Sequence, residues 1–266
     1  MKKQILFAVS ILAVGSLALA DDAAKAKVSD AIAKLKAADG YAWTSTTDMG
    51  ANAQFTPGPV KGKVSKDGMA WVTREFNGNT METIYKGTNT VAQLGQDGAW
   101  GAPRGFGGGR GGGGGGGGGG RGGGRGGFGQ AFLTPADEAA ALLKDAKDIT
   151  AGDAGLFSGD FTDDGIKARV GRGGRGGFGR GGGGGGAPPP APTIKNGKGT
   201  VKFWVKDGTL SKYVSHVSGS VEVQDQDPRD VDTTMTVEIS GVGSTKVAIP
   251  AEAQKVIDNP PAPAQN

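Results

Sequence analysis

Apolar and polar residues first repeat at a helical period. Val28, Ala31, Ile32 and Leu35 recur three and four positions apart, and Gly40 follows as a natural stop. This spacing predicts a helix over 22–39, with Asp21 and Asp22 at its positive end. At Tyr41 the period changes to two: Tyr41, Trp43, Ser45, Thr47 and Met49 alternate with Ala42, Thr44, Thr46 and Asp48. Short β-rich runs follow at 60–65, 69–76, 80–86 and 90–94. Asp67-Gly68, Asn77-Gly78, Gly87-Thr88-Asn89 and Asp97-Gly98 punctuate them. Asp-Gly and Asn-Gly supply the positive φ of tight hairpin turns, so these runs read as an antiparallel meander.

The middle of the chain opens on a second helix signal. Thr134 can cap, Pro135 suits the first helical position, and Asp137 completes a capping box. Ala139, Leu142, Leu143, Ala146 and Ile149 make its apolar stripe, which places the helix at 134–149. Residues 155–170 contain an extended Gly-Asp-Phe-Thr-Asp-Asp-Gly segment. Strands resume at 200–206, turn at Asp207-Gly208, and continue as a long strand over 209–223 with Tyr213, Val217, Val221 and Val223 on one face. Strands at 231–240 and 243–249 follow, then Pro250, a short helix over 251–257 and a Pro-rich tail. The simplest assembly is α+β: a curved antiparallel sheet with helices packed on one face.

Two stretches break the pattern. Of 53 glycines in 266 residues, 20 lie in 105–129 and 12 in 171–186. Neither has the three-residue period of collagen. They read as disordered Gly/Arg-rich loop inserts at 104–130 and 171–192, inside one domain over 21–258, with the tail at 259–266. The tracts also change the charge. The formal total is +4, but Arg104, Arg110, Arg121, Arg125, Arg172, Arg175 and Arg180 lie in tracts without acids, and Lys2 and Lys3 lie at the N-terminus. Everything else carries −5, so the basic character belongs to the inserts and is no argument for nucleic-acid binding by the domain.

Residues 1–20 have the form of a secretory signal. Lys2 and Lys3 precede an apolar run from Ile5 to Leu17, too short to span a bilayer, and Ala18-Leu19-Ala20 is a small-residue cleavage site. This predicts a periplasmic or secreted protein with no transmembrane anchor after cleavage. The chain has no cysteine, which excludes disulfides, thiol catalysis and cysteine-ligated zinc.

The order of elements brings a family into view. The segments YAWTSTTDM, DGMAWVTREF, GQDGAWGAP, GTVKFWVKDGTLSKY and TTMTVEISGVGSTKVAIPAEA together resemble the LolA/LppX-type bacterial carriers of lipids and lipoproteins. Trp204 before Asp207 and Gly208, and the ending Val247–Pro250, occupy positions similar to that pattern. The chain also resembles exported bacterial proteins of unassigned function. The family resemblance implies a half-barrel enclosing an apolar cavity, with a lipid or lipoprotein acyl chain as ligand.

An apolar cavity needs a concave face that excludes water around a chain, at about 0.8 kcal/mol per buried CH₂. Trp43, Trp71, Phe76, Ile84, Trp204, Tyr213 and Val217 are the candidates for it, or else they fill a closed core. The tracts repeat Arg-Gly-Gly-Phe, which sets Arg110, Arg121, Arg125, Phe128, Arg172, Arg175, Phe178 and Arg180 as candidate contacts for an envelope polyanion; intracellular nucleic acid is not expected. His216, the single histidine, falls out of phase with Tyr213 and Val217 and is expected to face solvent. Asp225, Asp227, Asp230 and Asp232 lack calcium-loop spacing. No serine elbow or phosphate loop occurs. No catalytic residue, cofactor or metal is assigned, and the expected role is binding, not enzymatic.

Overall fold

The computed structural model describes residues 15–51, 53, 56–76, 78–87, 89–95, 98–101, 132–173, 193–222 and 227–259. Residues 1–14, most of both Gly/Arg tracts and the end of the tail lie outside these. So do Arg104, Arg110, Arg121, Arg125, Phe128, Arg175, Phe178 and Arg180, and the side chains of Phe76 and Arg172.

Helix α1 spans Gly15–Ala37. It buries Ala24, Val28, Ala31, Ile32 and Leu35. The meander follows as β1 (Gly40–Asp48), β2 (Val60–Ser65), β3 (Met69–Phe76), β4 (Asn79–Lys86), β5 (Asn89–Leu94) and the short β6 (Trp100–Gly101). Helix α2 spans Pro135–Lys144. Then come β7 (Ala146–Ala151), a short 3₁₀ turn (Asp153–Gly155), β8 (Leu156–Phe161) and α3 (Asp163–Gly173). The last group is β9 (Thr193–Lys206), β10 (Thr209–Glu222), β11 (Arg229–Ser240) and α4 (Ala251–Asp258). At the β9–β10 turn Asp207 has φ 52° and Gly208 φ 73°, the pair of positive values that a two-residue Asp-Gly hairpin demands.

All eleven strands form one antiparallel sheet in the order β6-β5-β4-β3-β2-β1-β11-β10-β9-β8-β7. Two meanders therefore meet at one seam, where β1 pairs with β11 from Ala42↔Ser240 to Asp48↔Thr234. The sheet is curved and not closed. Helices α1, α2 and α3 lie on its inner face, over a core that includes Leu35, Trp43, Val72, Ile149, Phe161, Phe203 and Tyr213. Helix α4 adds cover on the opposite face, where Ala253 packs with Ile84, Ala92, Trp71 and Trp100.

Three sequence expectations are corrected. The helix expected over 134–149 stops at Lys144, and Ala146 and Ile149 belong to strand β7. Their spacing of three imitates a helix because the β7–β8 register shifts between Lys147 and Thr150, with Asp148 at φ 54°. The segment 155–170 is not merely extended: it holds β8 and α3. Thr162 caps α3 by accepting from Gly165 N at 3.1 Å, and Ile166 and Val170 are buried one turn apart. No strand forms at 243–249. Gly241 and Gly243 take positive φ, Thr245 N donates to Gly241 O at 3.0 Å, and Gly243 N donates to Gly40 O at 2.7 Å. A local turn bond and a tie to the start of β1 thus occupy backbone that a ladder would need.

Candidate functional site

Side chains directly paired across antiparallel strands share one face. Following the registers Arg74↔Val60, Val60↔Ser45, Ser45↔Val237 and Val237↔Tyr213 places these five residues in one row on the inner face, across β3, β2, β1, β11 and β10. Trp43 and Val72 belong to the neighbouring row, both opposite Gly62. That glycine is required. A Cβ built on it would sit 2.7 Å from Trp43 Cε2 and closer still to two other ring atoms.

The first turn of α2 roofs this row. Thr134 Oγ1 accepts from Asp137 N at 3.2 Å, so the predicted cap is formed, and it donates to Asp137 Oδ2 at 2.7 Å, so the Asp137 carboxylate meets the Thr134 hydroxyl. Tyr41 reaches up from β1, and its hydroxyl accepts from Ala136 N at 3.3 Å. Tyr213 rises from β10 and donates to Glu138 Oε2 at 2.7 Å. Burial pushes the Tyr213 hydroxyl well above its ordinary pKa, and the Glu138 carboxylate pushes the same way. Phe132, just before the cap, stacks on Tyr85 with ring centroids 4.3 Å apart and lies 6.2 Å from Trp43. Arg74 Nη1 donates to Tyr85 Oη at 3.2 Å.

Between floor and roof a crevice of about 180 Å³ remains. Its apolar walls are Trp43, Val60, Val72, Phe132, Met235 and Val237, and its polar groups come from Ser45, Arg74 and Glu138. Leu133 stands at the rim, 41% exposed. A larger hollow of about 310 Å³ runs between α1 and α2, past Ile32 and Leu143. It is a surface groove edged by Asp22, Lys25 and Lys144, outside the sheet's concavity, and Lys25 Nζ already bonds Ala146 O at 3.4 Å.

The sheet divides the predicted apolar residues. Trp43, Tyr213 and Val217 face inward, and the first two line the crevice. Trp71 and Ile84 face outward under α4. Trp204 also faces outward, 5.5 Å from Lys212 Nζ. His216 is exposed as expected, with Nε2 2.8 Å from Asp232 Oδ1. The sequence reading missed Arg74, Glu138 and Phe132. Phe132 and Glu138 flank the recognised cap, and their distance from Thr134 in the chain was the available signal.

Among the described residues no helix is long and apolar enough to cross a membrane. No protein-family model and no curated protein sequence matches the chain. Several solved structures align with it, among them two from mycobacteria. The lipoprotein LppX of Mycobacterium tuberculosis does so with a TM-score of 0.41 and 10% identity, over 85% of this chain and 98% of its own. LprF from Mycobacterium bovis does so with a TM-score of 0.42 and 12% identity, over 87% of this chain and 97% of its own.

Proposed function

We propose that the protein is an exported binder of an apolar ligand, which it holds by one chain in the crevice beneath α2. The observation that carries this reading is the crevice itself: aromatic and aliphatic walls on the inner face of an open sheet, a mouth at Leu133, and a few convergent polar groups. Its volume lies below the roughly 300–1,000 Å³ of most ligand pockets. It therefore suits a short single acyl or alkyl segment, with Arg74 and Ser45 near the polar end. Each CH₂ taken from water contributes about 0.8 kcal/mol. The export half of the proposal rests on the signal form of residues 1–20, and N-terminal sequencing of the secreted protein should begin at Asp21.

The binding half is tested by displacement of a fluorescent single-chain fatty acid, with native mass spectrometry as a second readout. Wild type takes up one probe per chain. Met235→Trp fills the crevice from a half-buried position and abolishes uptake while thermal unfolding stays nearly unchanged. Equal uptake by the folded variant, or no uptake by wild type, overturns the proposal.

A further inference from the structure

The outer face of β9 carries a feature that the crevice does not use. Lys198, Lys202 and Lys206 recur every four residues on one strand, so all three point outward and all are exposed. At about 3.3 Å per residue they stand about 13 Å apart, in a line about 26 Å long. Their buried alternates, Gly199, Val201 and Phe203, fix this phase. Trp204 stands in the same line between Lys202 and Lys206, half-buried, with Lys212 of β10 across from it.

Three of the acids nearby are engaged by other bases. Glu238 pairs with Lys212 at 3.0 Å, Glu222 with Lys195 at 2.7 Å, and Asp232 with His216. The residues directly opposite the line are Ser158 and Val214 beside Lys202, Ser218 beside Lys198, and Thr209 beside Lys206. Asp160 sits diagonally, opposite Thr200, and Asp207 lies in the turn. Among the described residues Lys198, Lys202 and Lys206 form no ion pair. A part of the chain that is acidic overall thus presents three lysines in line on one strand, with Asp160 as the exposed acid on the neighbouring strand.

We propose that this line, Lys198, Lys202, Lys206 and Trp204, docks the protein on an anionic lipid surface. A sheet that curves across its strands touches a plane along one strand, and the lysines lie along such a line. A half-buried tryptophan on the outer face suits the headgroup region. Each lysine near an anionic bilayer adds about a fivefold gain in affinity, and salt screens it.

The test uses the full chain in vesicle co-sedimentation, with vesicles half phosphatidylglycerol and half phosphatidylcholine, and with pure phosphatidylcholine as reference. Wild type binds the anionic vesicles, binds the neutral ones far more weakly, and loses binding in 0.5 M salt. The triple variant Lys198→Gln, Lys202→Gln, Lys206→Gln keeps its thermal unfolding and binds about a hundredfold more weakly. Vesicles shift the tryptophan emission of wild type to the blue, and Trp204→Phe removes that shift. Undiminished binding by the triple variant assigns the contact to the tract arginines it retains and overturns the proposal. Equal binding to neutral vesicles, or binding to an anionic polysaccharide but not to vesicles, also overturns it.

Discussion

At the residue scale, Trp43 and Gly62 have to be read together. Alternation along 41–49 made Trp43 recognisable as an inward residue. Nothing in VKGKVS announces that Gly62 is the space into which its ring falls, because that fact depends on the β1–β2 register. Gly62→Ala forces the ring to move, an overpacking change that costs about 1–3 kcal/mol. Differential scanning calorimetry should record it, and probe uptake should fall with it because Trp43 walls the crevice. The tyrosines give a second test. Burial raises the pKa of Tyr41, and burial with the Glu138 charge raises that of Tyr213 further. Both are therefore neutral through the ordinary tyrosine range near 10. In a tyrosinate absorbance titration these two ionise late, and Tyr213→Phe removes the last step. A raised folded pKa means that the neutral form is favoured in the native state. Stability contributed by it persists up to the unfolded value near 10 and falls as pH rises through the folded one.

At the element scale, α2 was the best-marked segment of the chain and still ended five residues before its expected end. Its start is written in local chemistry: Thr134, Pro135 and Asp137 act on backbone within one turn. Its end is decided by pairing of the next residues with β8, which no residue of the helix announces, and a bulge made the strand look helical. Strand β3 misled for a related reason. Met69 and Trp71 are apolar, and so are Ala70 and Val72, because α4 covers one set and the inner core the other. Periodicity cannot choose between two apolar phases, and Arg74 was lost with the phase. The cap itself is testable. Thr134→Ala should lower stability by about 1 kcal/mol. Burial pushes the Asp137 carboxyl up, but bonds from Lys36 at 2.6 Å and from Thr134 outweigh it and leave its pKa lowered. Its stabilisation is therefore present above the ordinary carboxylate value and is lost as pH falls through the lowered one. Lys36 is 67% exposed, so solvent screening keeps the effect below about 1 kcal/mol. Thermal melts at pH 7 and pH 3 should show a smaller acid loss in Asp137→Asn than in wild type.

At the scale of the whole molecule, the two meanders exchange their terminal helices. Helix α1 precedes the first meander yet packs on β7, β9, β10 and α2 of the second half. Helix α4 follows the second meander yet packs on β5 and β6 of the first. With the β1–β11 seam between them, each half is completed by the other. The first half alone would leave Val28, Ile32 and Leu35 of α1 without their partners. The second half alone would leave β11 as an open edge and Ala253 of α4 exposed. This exchange was not legible in the sequence, because the β1–β11 pairing that sets it joins segments almost two hundred residues apart. It predicts that a cut inside 104–130 leaves the molecule whole. Fragments ending at Gly101 and starting at Phe132, co-expressed, should co-purify and unfold in one cooperative transition. Each expressed alone should lack a cooperative transition by circular dichroism. An independently folding half would show instead that the seam and the exchanged helices join two domains, and that the long glycine tract is a linker between them and not an insert within one.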